Sequence, residues 1–428
     1  MTRQHYAARL ATTLTCTALA FSGANTIAQD ASARIIALEQ KVEALTQEMK
    51  HTQLGDVFIK PTESIHGMGA SASKVYQTTE GVSIGGYGEA LYQNFDGDKS
   101  SQADFLRAVL YFGHKFNDQW LLNTEIEFEH ASTGEDGSVS VEFAYLDYLM
   151  KDALNLRVGL VLIPMGFVNE LHEPNAFLSA RRTDIESTII PSTWRENGVG
   201  LFGNAGNVSY KAYIVNGLDA KDFSASGLRG GRQKGSKALA EDLAVVGRVD
   251  WRPTPGLILG GSLYHGDSGQ DLDLDVTTDI AEGHIELRRG PLQLRGLITQ
   301  AELDDVAALN RVTATPADDG TLPADSGIDS IGSRLAGWYL EAGLDITDWL
   351  MSDTEATITP FVRYSQYNTQ DDTPAGFKTS GQNDIDVVTV GVNLKPIDQI
   401  VFKIDYQFYD DSADTGNDQF NLSAGYVF

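Results

Sequence analysis

The last nine residues of the chain alternate, with Val427 the one apolar residue on the polar side. Phe420, Leu422, Ala424, Tyr426 and Phe428 fall on one side of an extended backbone, and Asn421, Ser423 and Gly425 on the other. A two-residue period of this kind marks a strand with one apolar and one polar face. Apolar side chains carried through to the last Phe suit a strand with lipid on one side and a wet lumen on the other. The alternative is the closing strand of a soluble sandwich. The same period runs through 119–130, where Leu122, Thr124, Ile126 and Phe128 oppose Asn123, Glu125, Glu127 and Glu129. It returns in 398–409, where Ile400, Phe402, Ile404, Tyr406 and Phe408 oppose Lys403, Asp405 and Gln407. A charge held in lipid costs about 2–4 kcal/mol at mid-depth, so these charges are expected to face a lumen. Over 138–150 the parity is ambiguous and the pattern assigns no faces.

From Val82 onward this rhythm predicts strands at 83–95, 104–116, 119–130, 138–150, 154–163, 197–204, 207–216 and 241–252. It continues with 256–265, 276–288, 292–301, 331–345, 355–367, 384–394, 398–409 and the final segment. The connections alternate between short turns such as Asn117-Asp118, Ala205-Gly206 and Lys395-Pro396-Ile397, and long polar loops such as 164–196, 218–240 and 303–330. A sandwich gives no reason for that one-sidedness. An even number of strands with turns at one end and loops at the other is the pattern of an outer-membrane barrel. The fold expected is therefore all-β, an antiparallel transmembrane barrel of about sixteen strands. Trp120, Trp251 and Trp349 lie at or near turns, where an interfacial belt places amphipathic rings.

The N-terminus reads differently. Arg3, Arg9, the apolar stretch 10–24 and Thr26-Ile27-Ala28 predict a signal peptide over 1–28. Ile35, Leu38, Val42, Leu45 and Met49 follow 3-4-3 spacing, which predicts a short coiled-coil helix within 29–50. The alternative is an amphipathic helix packed on its own chain. Residues 51–81 read as a linker and 82–428 as the barrel.

Composition sharpens the picture in three ways. No run of eighteen apolar residues occurs, so the chain carries no candidate transmembrane helix, which a barrel does not need. The single Cys16 lies in the expected signal peptide, so no disulfide is expected. Taking two arginines from the 32 basic residues leaves 30 against 59 acids, a net charge of −29 that makes nucleic acid an unsuitable partner.

A barrel of sixteen strands is wide enough for water, and selectivity then depends on what narrows it. Loop 164–196 combines apolar anchors (Phe167, Val168, Phe177, Leu178, Ile189, Ile190) with charges that include Arg181, Arg182 and Arg195. That mixture predicts a loop folded into the lumen, the alternative being one packed over the barrel mouth or a trimer interface. Inward arginines are expected at Arg107, Arg157, Arg248, Arg252, Arg288, Arg295 and Arg363, among the acids Glu125, Glu127, Glu129, Asp250, Glu282 and Glu286. Guanidinium groups stay charged and bind oxyanions in a planar fork, which would favour anions. The alternative is that acids and bases neutralise one another across neighbouring strands. Lys221, Arg229, Arg232, Lys234 and Lys237 make the 218–240 loop basic, suited to drawing anions or binding lipopolysaccharide phosphates, the alternative and more common outcome being a solvated loop. Hydrolase, zinc and phosphate-loop motifs do not occur, so no enzyme activity, metal or cofactor is expected.

Gly85-Gly86-Tyr87-Gly88-Glu89, the block from Phe105 to Phe112 and Glu125-Ile126-Glu127-Phe128, followed by about sixteen strands and a last Phe, resemble the phosphate-selective porins O and P. The resemblance implies a trimeric outer-membrane channel of a Gram-negative bacterium, with the 29–50 helix a three-stranded coil in the periplasm. Anion-selective members of that family line the pore with arginines and a few lysines; here the inward arginines are interspersed with glutamates. The expected function is a passive porin for small hydrophilic solutes that prefers anions such as phosphate. Arg181, Arg182 and Arg195 would line its constriction with Arg107 and Arg157. Its expected partners are two further copies, outer-membrane lipid and lipopolysaccharide. The competing expectation is a structural barrel that tethers or binds a partner through its coil and loops.

Overall fold

The computed structural model describes residues 64–97, 99–134, 137–313 and 330–428, together with Arg34, Ile36, Leu38, Gln40 and Lys41. The expected signal peptide, most of the 29–50 helix and the first part of the expected linker lie outside the described residues. The five isolated positions are helical and exposed, and belong to a unit of their own, Met1–Gly55.

Sixteen strands make up the second unit. They are β1 (Gly81–Phe95), β2 (Gln102–Lys115), β3 (Trp120–Glu129), β4 (Ser138–Lys151), β5 (Leu154–Leu162), β6 (Arg195–Ala205), β7 (Val208–Asn216) and β8 (Leu243–Thr254). The second half holds β9 (Leu257–Asp267), β10 (Thr277–Arg289), β11 (Leu292–Leu303), β12 (Arg334–Leu344), β13 (Thr357–Asp372), β14 (Asp384–Ile397), β15 (Ile400–Asp411) and β16 (Gln419–Val427). Each pairs antiparallel with its sequence neighbour, and β1 pairs with β16 from Tyr87 opposite Val427 to Phe95 opposite Gln419, closing the barrel. Closure leaves no open edge, the condition for a sheet in a solvent that offers no hydrogen bonds.

Turns gather at the end where β1 begins, and the long loops at the other. The connection from β12 to β13 is the longest on the turn side and contains the helical turn Thr347–Leu350.

The barrel is inside-out relative to a soluble protein. Leu340, Ile298 and Leu263 point outward and are more than half exposed, whereas Glu125, Arg157 and Lys403 are buried in the interior. The faces expected for 119–130, 398–409 and the last strand are those observed. Trp120 and Trp251 stand on the outer wall beside turns, and Trp349 lies in the β12–β13 connection.

The ambiguity over 138–150 has a physical cause. Glu125 pairs with Phe143 but the next residue, Ile126, pairs with Val141, so Glu142 is an extra residue in β4. This bulge switches the strand's parity. Val139 and Val141 point outward before it, Leu146 and Met150 after it, and Glu142 and Phe143 both point inward.

The outward apolar belt makes a direct prediction. Leu340→Arg, near the middle of β12, should lower the stability of the folded protein in lipid vesicles by about 2–4 kcal/mol, measured by denaturant unfolding. An unchanged midpoint would mean that this wall does not face hydrocarbon.

Candidate functional site: a filled lumen

Among the described residues two segments occupy the interior. The first is Ser64–Glu80, within the stretch expected as a linker. Small side chains let it pack closely: Ser71, Ala72, Ser73 and Val75 are all buried. The Ser71 hydroxyl donates to the Phe428 carbonyl at 2.5 Å, and the Gly86 amide donates to the Ser71 hydroxyl at 2.8 Å. Asn123 donates to the Ala72 carbonyl at 2.9 Å, and Tyr76 donates to Asp147 at 2.7 Å. The segment thus lies across the turn-side mouth against the first strands. No periodic signal marks it in the sequence, which is why it reads as a linker.

The second segment is the 163–194 loop. Asn169 clamps its base, donating to the carbonyls of Ile163 and Trp194 and accepting from the Trp194 amide at 2.7 Å. From there the loop descends the full length of the lumen. Glu173 accepts from the amides of Ser71 and Ala72 at 3.1 and 3.3 Å, so the loop meets the first segment directly. Asn175 reaches the carbonyl of Asp398 in the β14–β15 turn. The chain then climbs the opposite wall: Lys403 donates to the Ser179 carbonyl, Asp405 accepts from the Ala180 amide, and Asp184 accepts from Tyr409. Near the top Glu186 accepts from the Phe167 and Val168 amides and from Tyr339. Phe177, Val168, Ile189 and Ile190 are buried, so the apolar anchors hold the loop inside, as their presence predicted.

The inward arginines are real, but most do not offer a free guanidinium. Arg157 forms a two-pronged pair with Asp147 at 2.8 and 2.9 Å and stacks on Tyr145. Arg195 binds Glu142 at 3.0 Å, and Arg107 lies between Glu127 at 3.3 Å and Glu89 at 3.7 Å. Arg248 pairs with Asp250, Arg295 and Arg288 with Glu286, and Arg363 with Glu341. Arg252, exposed at the turn-side rim, donates to Ser209. Among the acids, Glu125 faces His172 at 3.2 Å and Glu129 accepts from Ser138. Neutralisation across neighbouring strands, the alternative raised by the sequence, is therefore the rule on this wall. Strand alternation tells which face a charge takes but not its partner one strand away.

Nor do the five arginines expected at a constriction form one ring. Arg157 and Arg195 are consumed by their carboxylates. Arg181 pairs loosely with Asp184 at 3.7 Å beside β15, whereas Arg182 donates to the His172 carbonyl on the other limb of the loop.

A different cationic group gathers at the loop-side end. Arg229 donates to the Ser192 hydroxyl and carbonyl, and Arg232 to the Ser192 carbonyl and the Thr193 hydroxyl, so the 217–242 loop folds inward over the long loop. Burial, together with Arg229 and Arg195, pushes the Arg232 guanidinium down to about 9. Burial with Arg182 and Arg107 lowers Arg229, and burial with Arg232 lowers Lys234. Burial is the main cause of each shift; the neighbouring cations add to it, and Glu129, Glu142 and Glu196 oppose it. The sequence singled out this loop as basic, but not that it faces the lumen.

On the turn side a cavity of about 970 Å³ lies between the two inner segments and the wall of β6–β10. Lys211, Arg248, Arg252 and Arg288 line it together with Glu170, Asp250 and Glu286.

No family model matches the chain. An uncharacterized protein of Aquifex aeolicus (strain VF5) is 35% identical over 374 residues, 85% of this chain and 83% of that protein. Among solved structures, OmpF of Salmonella typhi in complex with daunomycin superimposes with a TM-score of 0.56 at 11% identity, over 82% of this chain and 98% of that one. The outer membrane channel DcaP of Acinetobacter baumannii gives a TM-score of 0.53 at 13% identity, over 81% and 97% of the two chains. At such identities the likeness is one of fold, the porin barrel. The resemblance to the phosphate-selective porins stands at that level.

The inner segment Ser64–Glu80 generates a pH prediction. His66 stacks edge-on against Tyr76 and Phe202, and burial, with Arg157 and Lys211 nearby, pulls its imidazole down to about 3. The undocked segment takes up a proton below its ordinary value of 6.5 and the docked one does not. The His66 contribution to docking is therefore fully present above about 6.5 and is lost as pH falls toward about 3, while Glu173, pushed up to about 7 by burial, acts in the opposite sense. Hydrogen exchange over 64–78 at pH 5, corrected for intrinsic rates, should show less opening in His66→Gln than in the wild-type chain.

Proposed function

We propose that this chain, which belongs to one family with the Aquifex aeolicus protein, is an outer-membrane porin whose narrowed lumen passes small hydrophilic solutes and prefers anions. The observation that carries the preference is the inward-folded group Arg182, Arg229, Arg232 and Lys234 at the loop-side mouth. Among the described residues Arg229, Arg232 and Lys234 form no ion pair of the kind that neutralises the barrel wall, and Arg229 and Arg232 bond instead to Ser192 and Thr193. A positive mouth concentrates anions before they meet the balanced interior, where hydrogen-bond donors and acids alternate. Phosphate fits such a group through charge-assisted bonds to several guanidiniums. Assembly as three copies belongs to the same reading. The outer wall of β1, β2, β15 and β16 has a broad hollow lined by Ala90, Ala103 and Ala424, small enough to admit a second barrel closely.

A second reading rests on how full the lumen is. With one segment across the turn-side mouth and a loop along the whole interior, a barrel that anchors or binds a partner is also served by this architecture.

Planar-bilayer recording of the purified protein separates the two. Stepwise openings with a chloride-directed reversal potential, blocked by added phosphate, are expected. Arg229→Gln combined with Arg232→Gln should lower anion-over-cation permeability roughly tenfold. Cation preference would remove the anion part, and an absence of openings would leave the structural reading.

A further inference from the structure

The bulge in β4 has a consequence inside the barrel. It aims Glu142 at Glu125 of β3 and at His172 of the descending loop, three residues from three separate elements, all buried. His172 Nδ1 lies 2.9 Å from the Asn169 carbonyl, which can only accept, so this nitrogen carries the proton. In the neutral ring Nε2 then presents a lone pair to Glu125 Oε1 at 3.2 Å and to Glu142 Oε2 at 3.4 Å.

Three electron-rich atoms facing one another are repulsive unless something positive sits among them. A single proton on Nε2 points along one line and can serve only one of the two carboxylates. The distances are 3.2 Å to Glu125, within hydrogen-bond range, and 3.4 Å to Glu142, beyond it. They fit the edges of a tetrahedron around an ion held at about 2.0–2.2 Å from nitrogen and oxygen, whose ligand atoms stand roughly 3.3–3.6 Å apart. The three donor atoms lie within 4.8 Å of one another.

A second observation agrees. Glu125 Oε2 and Glu142 Oε2 are buried, and among the described residues neither meets a hydrogen-bond donor. Unsatisfied carboxylate oxygens at this depth are costly and call for a cation. The surroundings already resemble those of bound ligands: Asn169 fixes the imidazole tautomer, and Arg195 orients Glu142 through its other oxygen at 3.0 Å.

We propose that Glu125, Glu142 and His172 form a binding site for one divalent transition-metal ion that staples the lumen-filling loop to the wall at β3 and β4. One imidazole with two carboxylates suits Zn²⁺, with water at the remaining position. This revises the expectation of no metal. Glu142 escaped the sequence because its strand parity did not resolve, and no short motif joins three residues so far apart.

The test needs no channel measurement and is independent of the porin reading. Full-length protein folded in detergent is stripped with a chelator and dialysed against Zn²⁺. The expected result is one zinc per chain, higher heat stability with zinc than without, and an X-ray absorption edge showing nitrogen and oxygen neighbours. Glu142→Gln, close to isosteric, should bind zinc roughly tenfold or more weakly. His172→Ala should do the same, with heat-modifiable mobility on gels checking that each variant is folded. Should His172→Ala fail to fold, Glu142→Gln decides alone. No stoichiometric zinc in the wild-type chain, or equal affinity in Glu142→Gln, overturns the proposal.

Discussion

Hydrocarbon offers no hydrogen bonds, and the rest of this structure depends on that constraint. It requires every backbone amide and carbonyl to be paired within the protein, so the sheet must close, here through β1 and β16. It also sends the charges of the mid-barrel strands to one side, leaving outward ones such as His265 and Asp279 to the loop-side strand ends. A closed barrel of sixteen strands therefore concentrates its acids and bases in a narrow interior. They cannot stay there unpaired at low cost. The pairs Arg157–Asp147, Arg195–Glu142, Arg295–Glu286 and Arg363–Glu341 follow from the same rule that put Leu340 and Ile298 outside.

What was legible in the sequence was what this constraint writes at short range. Alternation at 119–130, 398–409 and 420–428 gave the faces, and the rhythm of short turns and long loops gave strand number and polarity. Loop 164–196 announced itself because Phe177, Ile189 and Ile190 make no sense in water. The remainder depends on contacts distant in sequence. Nothing local says that Arg157 will find Asp147, or that Ser71 will meet Phe428 from the far end of the chain. Ser64–Glu80 is rich in small polar residues, a composition shared by linkers and by segments threaded through tight polar space. Glu142 was hidden for a sharper reason: a one-residue bulge shifts parity, and a pattern of period two cannot announce its own phase change.

The two inner segments divide the labour of filling the lumen by chemistry. The 163–194 loop is held by side chains on both walls, from Glu173 at the turn side to Glu186 near the loops, and by buried apolar anchors. Moving it as a body would break many buried polar contacts together. The 64–80 segment is held chiefly by its backbone groups and by Ser71, Tyr76 and His66, and part of it is exposed. Of the two it is the cheaper to displace.

That difference bears on how a filled barrel could still conduct. The cationic group of Arg229 and Arg232 is built from the outer loop bonding to Ser192 and Thr193 at the upper end of the fixed loop. Its position therefore does not depend on the 64–80 segment. The turn-side cavity, by contrast, has Ser64, His66 and Gly67 in its wall, so its width follows directly from where that segment sits. On the proposed reading, selection and passage fall on different parts of the molecule: charge at the loop-side mouth, and width at the turn-side one. A change in docking at the turn side would alter conductance while leaving the sign of ion preference intact, because no charge in the loop-side group takes part in it.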